Sequence, residues 1–223
     1  MKIYVISLAN AVARRAQTRQ QLEDHDLEFE FLDALDGIDG SQLFDRIDSH
    51  AHLVHTGRLP TPGEIGCYAS HLKAWHGCIA DSHPVCVLED DCQLQSFFAA
   101  ALAAASKLIE QYGFIRLQTE SRGRKYPVRD AGRFQLHRYT KMPHSTLAYV
   151  ISPRVARRFI DCSKVMSESA DVFVKQFWVH DQPLYGLTPY AATEGPLSNT
   201  PHISGRKRTP KSLLTRIIRI GIR

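Results

Sequence analysis

The stretch Pro84-Val85-Cys86-Val87-Leu88-Glu89-Asp90-Asp91 decides how this chain is read. Four apolar residues run straight into three consecutive carboxylates. A short apolar run behind a proline predicts a buried strand. Three acids cannot follow it into the core unpaired, because each would cost several kcal/mol or give up its charge. They therefore belong at the open carboxyl edge of a sheet, where α/β folds bind ligands. Clustered hard oxygen donors suit Mg²⁺ or Mn²⁺, and a diphosphate held through that metal. The competing reading is a solvated strand end whose acids cap the next helix.

The segments on either side extend the α/β pattern. Upstream, Lys2 to Leu8 is β-rich and apolar, Ala11 to Asp24 is a polar amphipathic helix, and Phe29-Glu30-Phe31 alternates as a second strand. Strand, helix and strand in close succession make a βαβ unit, which implies parallel pairing. No glycine-rich phosphate loop follows the first strand, so the dinucleotide and P-loop fingerprints are absent. Arg14 and Arg15 open the first helix, either to meet a diphosphate bidentately or as ordinary surface arginines. Gly40 to Leu59 lacks a clear period and reads as an irregular insertion with a short helix. Thr61-Pro62-Gly63-Glu64 is a helix start, with Thr at the N-cap, Pro at N1 and Glu at N3. Ser70 and His71 fall in the middle of that helix, and from spacing alone His71 has no role.

Downstream, Ser96 to Tyr112 is an alanine-rich helix closed by Gly113, and Phe114 to Gln118 is a strand. Residues 120–142 are basic and turn-rich, which fits a loop over the site that attracts phosphorylated acceptors, or a solvated hairpin. Thr146 to Ile151 is a strand, Ser152-Pro153 starts a helix to Cys162, and Ser167 to Phe177 is a further helical stretch containing Asp171. Leu184 to Leu187 is a late strand. The expected architecture is a single α/β domain over residues 1–205, a mixed but mainly parallel sheet of Rossmann type flanked by helices.

The chain has 223 residues, enough for one domain with a proper core, with 43% hydrophobic and 23% charged residues. Its net charge of +5 is unevenly placed. Arg206, Lys207, Arg208, Lys211, Arg216, Arg219 and Arg223 lie in a tail without an acid. Without those seven, the body holds 21 basic against 23 acidic residues, so the basic balance does not indicate a nucleic-acid partner. In residues 206–223, Leu213, Leu214, Ile217, Ile218 and Ile220 alternate with the arginines, the pattern of a basic amphipathic helix on an anionic membrane surface. Packing against the body or a partner is the rival. Five cysteines without a C-x-x-C pair indicate buried thiols in a reducing compartment rather than disulfides or zinc. No apolar run is long enough to span a bilayer, and Ile3 to Ala9 is too short for a signal peptide. The expected location is cytoplasmic, peripheral on the inner face of the membrane.

Several blocks together resemble one family. Ile6-Ser7-Leu8 followed by Arg14-Arg15, and then Asp33-Ala34-Leu35-Asp36-Gly37, are similar to the opening of family 25 glycosyltransferases, bacterial enzymes of lipooligosaccharide synthesis. Gly63-Glu64-Ile65-Gly66-Cys67-Tyr68-Ala69-Ser70-His71-Leu72 resembles that family's second block, and Leu88-Glu89-Asp90-Asp91 its acidic block. Ala148-Tyr149-Val150-Ile151-Ser152 and Asp171 resemble its later, looser blocks. The resemblance runs in order over residues 3–205.

It implies a GT-A-like fold, a UDP-galactose or UDP-glucose donor, inversion, and a divalent metal. By the same resemblance Ser7, Leu8, Arg14, Arg15, Asp33, Ala34, Ser70, His71, Glu89 and Asp90 contact the nucleotide sugar. Asp91 with Asp90 or Glu89 holds Mn²⁺ or Mg²⁺, and His202 or His180 completes the shell. The block is Glu-Asp-Asp rather than a plain Asp-x-Asp, which leaves open which members meet metal and which meet ribose. Expulsion of a diphosphate calls for a cation at its developing charge, and single displacement calls for a carboxylate base at the acceptor hydroxyl. Asp171 is the first choice for that base and Asp181 the second. The basic tail would then hold the enzyme near a lipid-linked oligosaccharide acceptor. The rivals are another nucleotide-sugar enzyme, either a retaining transferase or a nucleotidyltransferase, and a catalytically silent sugar-binding scaffold.

Overall fold

A computed structural model describes residues 1–119 and 123–196. The basic tail at 206–223, Arg122 and His202 lie outside the described residues. The chain opens with β1 (Lys2–Ser7), α1 (Val12–Glu23), β2 (Glu30–Asp33), α2 (Gly37–Ser41), β3 (Arg46–Ile47), α3 (Ser49–Thr56) and α4 (Pro62–Asp81). The acidic stretch follows as β4 (Val85–Glu89), then β5 (Cys92–Leu94), α5 (Phe98–Tyr112) and β6 (Phe114–Arg116). The remainder comprises β7 (Arg124–Ala131), β8 (Phe134–Lys141), β9 (Ala148–Ile151), α6 (Pro153–Cys162), β10 (Val165–Met166), α7 (Ala170–Lys175), α8 (Phe177–His180), β11 (Tyr185–Thr188) and β12 (Ala192–Glu194).

Eight strands form one sheet in the order β2-β1-β4-β9-β6-β11-β8-β7. β1 pairs in parallel with β2 and β4, and β6 with β11, while β9 and β8 run against their neighbours. Six of the eight strands therefore point one way, which is the expected mixed, mainly parallel sheet. The central strands are apolar on both faces because both are covered. Tyr4, Ile6, Val85, Val87 and Tyr149 pack under α4, α6 and α7, and Ile3, Val5, Cys86, Leu88 and Val150 pack against α5 and Leu22 of α1.

The strand ends align by register. Ser7 stands opposite Asp33 and Ile6 opposite Glu89, so β1, β2 and β4 finish along one edge. α4 starts as its sequence requires: the Thr61 side chain accepts from the Glu64 N–H and the Glu64 carboxylate accepts from the Thr61 N–H, a reciprocal cap behind Pro62. Arg58 clasps the same glutamate.

Two expectations need correction. Gly40 to Leu59 is not irregular: Asp36 and Asp48 cap α2 and α3, and β3 pairs in parallel with β10. That partner lies more than a hundred residues away, so no local pattern announces it. Of the two readings of the basic stretch the solvated hairpin holds: residues 124–141 form β7–β8 at the edge of the sheet opposite β2, not a loop over the acidic strand end. The helical stretch around Asp171 is broken at Gln176 into α7 and α8. All five cysteines are free thiols. Among the described residues no helix is long and apolar enough to cross a membrane.

Candidate active site

A cleft of about 380 Å³ opens at the carboxyl ends of β1 and β4. Ser7 and Leu8 from the β1 end, Arg14 from α1, and Ala34 to Gly37 from the β2–α2 turn form one side. Cys67, Ser70 and His71 from α4 and the acids Glu89, Asp90 and Asp91 form the other. Spacing put these groups on separate elements, and parallel register brings them together.

Asp90 is locked in place. Its Oδ2 accepts from Ser7 Oγ at 2.6 Å and its Oδ1 from Arg14 Nη1 at 3.0 Å. Its N–H donates to Ile6 O at 3.2 Å, continuing the β1–β4 pairing, and its carbonyl accepts from Thr18 Oγ1 at 3.2 Å. Both side-chain oxygens are thus engaged by the protein. Asp91 differs: its Oδ1 is buried and has no partner among the described residues. Burial and the neighbouring Glu89 carboxylate push the Asp91 carboxyl up to about 6, with Arg14 opposing. Gly195 N donates to Asp91 O at 2.8 Å, which seats the end of the described chain beside the acidic block. A Cβ on Gly195 would lie 2.8 Å from that carbonyl.

Glu89 faces α4. Its Oε1 accepts from Thr146 Oγ1 at 2.7 Å, and His71 Nε2 stands 3.4 Å away. Burial alone would raise the Glu89 carboxyl, but His71 and Thr146 outweigh it and leave it below its ordinary range. His71 is fully buried. The Tyr149 hydroxyl accepts from Trp75 Nε1 at 2.9 Å, so its own proton is directed to His71 Nδ1, also 2.9 Å away. That assignment leaves the His71 proton on Nε2, which approaches Glu89 Oε1 at 3.4 Å without hydrogen-bond geometry. His71, without a role by spacing, is therefore the link between the aromatic core and the acidic block.

Ser70 fixes the opposite wall. Its hydroxyl donates to Gly66 O at 2.6 Å and accepts from Leu35 N at 2.9 Å. A Cβ on Gly66 would fall 2.3 Å from Leu35 O, so only glycine lets the Ala34–Leu35 turn lie on α4. Arg15 does not reach into the cleft with Arg14. It donates to Ser7 O at 2.9 Å and Leu8 O at 3.1 Å, pairs with Asp33, and lies over the Phe31 ring. That pairing holds the exposed Asp33 carboxyl below its usual range. Arg15 and Asp33 thus clasp the ends of β1 and β2.

The two carboxylates considered as bases part company. Asp171 is the first acid of α7, and its Oδ1 accepts from Ser169 Oγ at 2.6 Å. His144 Nδ1 lies 3.1 Å from Asp171 Oδ2, and Lys175 Nζ lies 2.9 Å from His144 Nε2. An ammonium can only donate, so His144 Nε2 accepts and the ring proton sits on Nδ1, directed to Asp171. Burial would raise the Asp171 carboxyl, but His144, Ser169 and the Ser145 N–H drive it well below its ordinary range. Neither carboxylate is among the residues that line the cleft, but Asp171 is near enough to act on the Glu89 carboxyl, whereas Asp181 sits at the end of α8 with its side chain 95% exposed beside Arg158. His180 is buried, and its Nε2 meets Val174 O at 3.0 Å, so it faces the core rather than the acids.

Arg116 was legible only as a strand residue. Fully buried at the end of β6, it donates to the carbonyls of Pro143, His144, Ser145 and Thr119. It thereby shapes the 143–146 turn that delivers His144 to Asp171 and Thr146 to Glu89. Among the described residues no three His, Cys, Asp or Glu side chains form a ready-made metal cluster. The donor chemistry does suit a hard divalent cation at Asp91, whose buried oxygen has no partner in the described protein.

A mixed sheet flanked by helices, with an acid-lined cleft at its parallel strand ends, is an α/β architecture of GT-A-like type. Residues 1–174 match glycosyltransferase family 25 (LPS biosynthesis protein), and the chain belongs to that family. It is 25% identical over 185 residues to the lacto-N-neotetraose biosynthesis glycosyltransferase LgtB of Neisseria meningitidis, covering 72% of this chain and 61% of that protein. It is 29% identical over 180 residues to a glycosyltransferase 25 family member of Anopheles gambiae, covering 71% of this chain and 28% of that one. A rat relative, 31% identical over 110 residues, is named a probable inactive family member; the match covers 45% of this chain and 19% of that protein. The chain thus spans less than a third of these two animal relatives.

Proposed function

We propose that this chain is an inverting, metal-dependent hexosyltransferase that moves galactose or glucose from a UDP-sugar to a hydroxyl of a lipooligosaccharide or LPS acceptor. The observation that carries this reading is Asp91, a half-buried carboxylate whose buried Oδ1 has no partner among the described residues, beside the immobilised Asp90 in the cleft lining. Family membership and the likeness to LgtB support the substrate class.

In this reading Asp91 is the principal protein ligand for Mn²⁺ or Mg²⁺, with His202 a further candidate, and the ion would neutralise charge developing on the departing UDP. Asp90, held by Ser7 and Arg14, presents a fixed edge to the nucleotide, and the Ala34–Gly37 turn closes over it from the α4 side. Glu89, oriented by His71 and Thr146, supplies an acceptor for a donor-sugar hydroxyl. Asp171 takes the proton of the acceptor hydroxyl as oxygen bonds to the anomeric carbon and the bond to UDP breaks. A carboxylate held this low is ionised throughout the working range but weakly basic, so proton transfer comes late, when the attacking oxygen has already acidified. Arg14 stands on the cleft wall to meet the diphosphate.

The test is UDP release from UDP-galactose and UDP-glucose, with Mn²⁺ or with EDTA, in wild type and Asp91→Ala. Turnover with one donor that disappears in EDTA and in the variant is the expected result. Turnover indifferent to both would mean the acidic block is not the metal site. No turnover with either donor and a lipooligosaccharide acceptor would place this chain with its inactive relatives. The membrane role of residues 206–223 is part of the proposal: their deletion should release the protein from anionic vesicles, and unchanged partition would remove it.

A further inference from the structure

A second cavity, of about 310 Å³, lies apart from the cleft. Tyr68 and Phe173 contribute to its apolar lining, Glu168, Gln176 and His55 supply polar groups, and the indole of Trp178 stands beside them. Asp171 and Lys175 of α7 turn to His144, whereas Phe173 of α7 and the capping Gln176 line this cavity.

Two features mark it as more than a packing gap. Glu168 is a buried carboxylate whose Oε1 accepts from Gln176 Nε2 at 2.7 Å and lies 3.2 Å from His55 Nδ1. Those contacts fix the orientation of a carboxylate that lines the cavity. Beside it Trp178 is 66% exposed, although a free indole face is costly to leave in water. An apolar platform next to a fixed carboxylate and an amide matches a pyranose: ring C–H groups lie against the indole and hydroxyls donate to the oxygens. The acid disfavours phosphate, nucleotide or anionic lipid, because like charge in a desolvated pocket is repelled.

We propose that this cavity binds a neutral sugar residue of the acceptor oligosaccharide, one or more units away from the reacting hydroxyl. This rests on the glycosyl-transfer reading above, and it assigns acceptor length preference to Trp178 and Glu168.

The experiment is calorimetric titration of the full chain with neutral oligosaccharides ending in galactose, glucose, N-acetylglucosamine or heptose, in wild type, Trp178→Ala and Glu168→Gln. Wild type should bind at least one, and each variant should lose about tenfold or more in affinity. KM for that acceptor should rise by a similar factor with kcat within about twofold, while UDP affinity stays unchanged. Trp75 is fully buried, so acrylamide quenching reads Trp178, and the bound sugar should protect it. Variants that bind as wild type does, or a wild type that turns over donor yet binds none of the sugars, would overturn the proposal. If UDP-sugar is never consumed but sugar binding and its loss in the variants persist, the transferase reading fails and the cavity assignment stands.

Discussion

Replacing Asp91 with asparagine should make the metal-free protein more stable at pH 8 while abolishing its turnover. The Asp91 carboxyl rises from 3.8 to about 6 in the folded protein because burial and Glu89 disfavour its charge. Each tenfold change in proton affinity is worth about 1.4 kcal/mol, so holding the charge costs the folded state up to about 3 kcal/mol. A raised folded value means that this penalty is absent below about pH 4, grows between pH 4 and 6, and is complete above that. An amide carries no charge but still has polar atoms to satisfy, which reduces the expected net gain to about 1–2 kcal/mol at pH 8. Urea unfolding in EDTA at pH 8 and pH 4, compared between wild type and Asp91→Asn, measures it. The variant should lead at pH 8 and, because the cost of the amide does not depend on pH, trail wild type by about 1–2 kcal/mol at pH 4. Adding Mn²⁺ at pH 8 should raise the wild-type midpoint and leave the variant's alone. A variant less stable at pH 8, or an equal gap at both pH values, would refute the assignment of strain to this carboxylate.

Tyr149→Phe removes the hydroxyl shared by Trp75 and His71 and leaves two buried polar groups without it; urea unfolding should show a loss of about 2–4 kcal/mol. Gly66→Ala places a Cβ 2.3 Å from Leu35 O, so the Ala34–Gly37 turn must move off α4; UDP binding measured by calorimetry should weaken about tenfold or more. His144→Ala removes a donor that holds Asp171 low; a depressed carboxylate stabilises above its unfolded value and loses that benefit as pH falls. Chemical unfolding should therefore show the variant weaker than wild type at pH 7, with the gap narrowing toward pH 3, and the acid limb of its turnover profile should move upward.

The sheet edge was legible because it rests on local patterns. Val85 to Leu88 could only be a buried strand, and three acids could only follow it to an open edge. The Thr61 cap announced α4, and the βαβ pattern implied the parallel pairing whose register sets Ser7 beside Asp33. What the sequence withheld depends on distance in the chain. Nothing near Arg14 and Arg15 says that one reaches Asp90 and the other turns back to Asp33, because their partners lie on different strands. His144 sits in a turn without periodicity, and its role appears only once Arg116 has folded that turn against α7. Asp181 carries the right chemistry near the right helix, but the break at Gln176 sends it to solvent. The basic run in 124–141 had two readings, and strand pairing at the far edge of the sheet decided between them.

The bonds that pin Asp90 join residues 83 and 76 positions apart in the chain. Between them lie β2, α4 and all the turns connecting them, so the acidic block cannot take its working shape until β1 and β4 have found each other. Parallel pairing across such a span is slow, since loop closure precedes any contact that rewards it. The cleft consequently cannot be assembled during synthesis until the ribosome has released Asp91. A nascent chain stalled before β4 lacks Asp90, and on the proposed function recovery of UDP binding during refolding would time the formation of the β1–β4 pair.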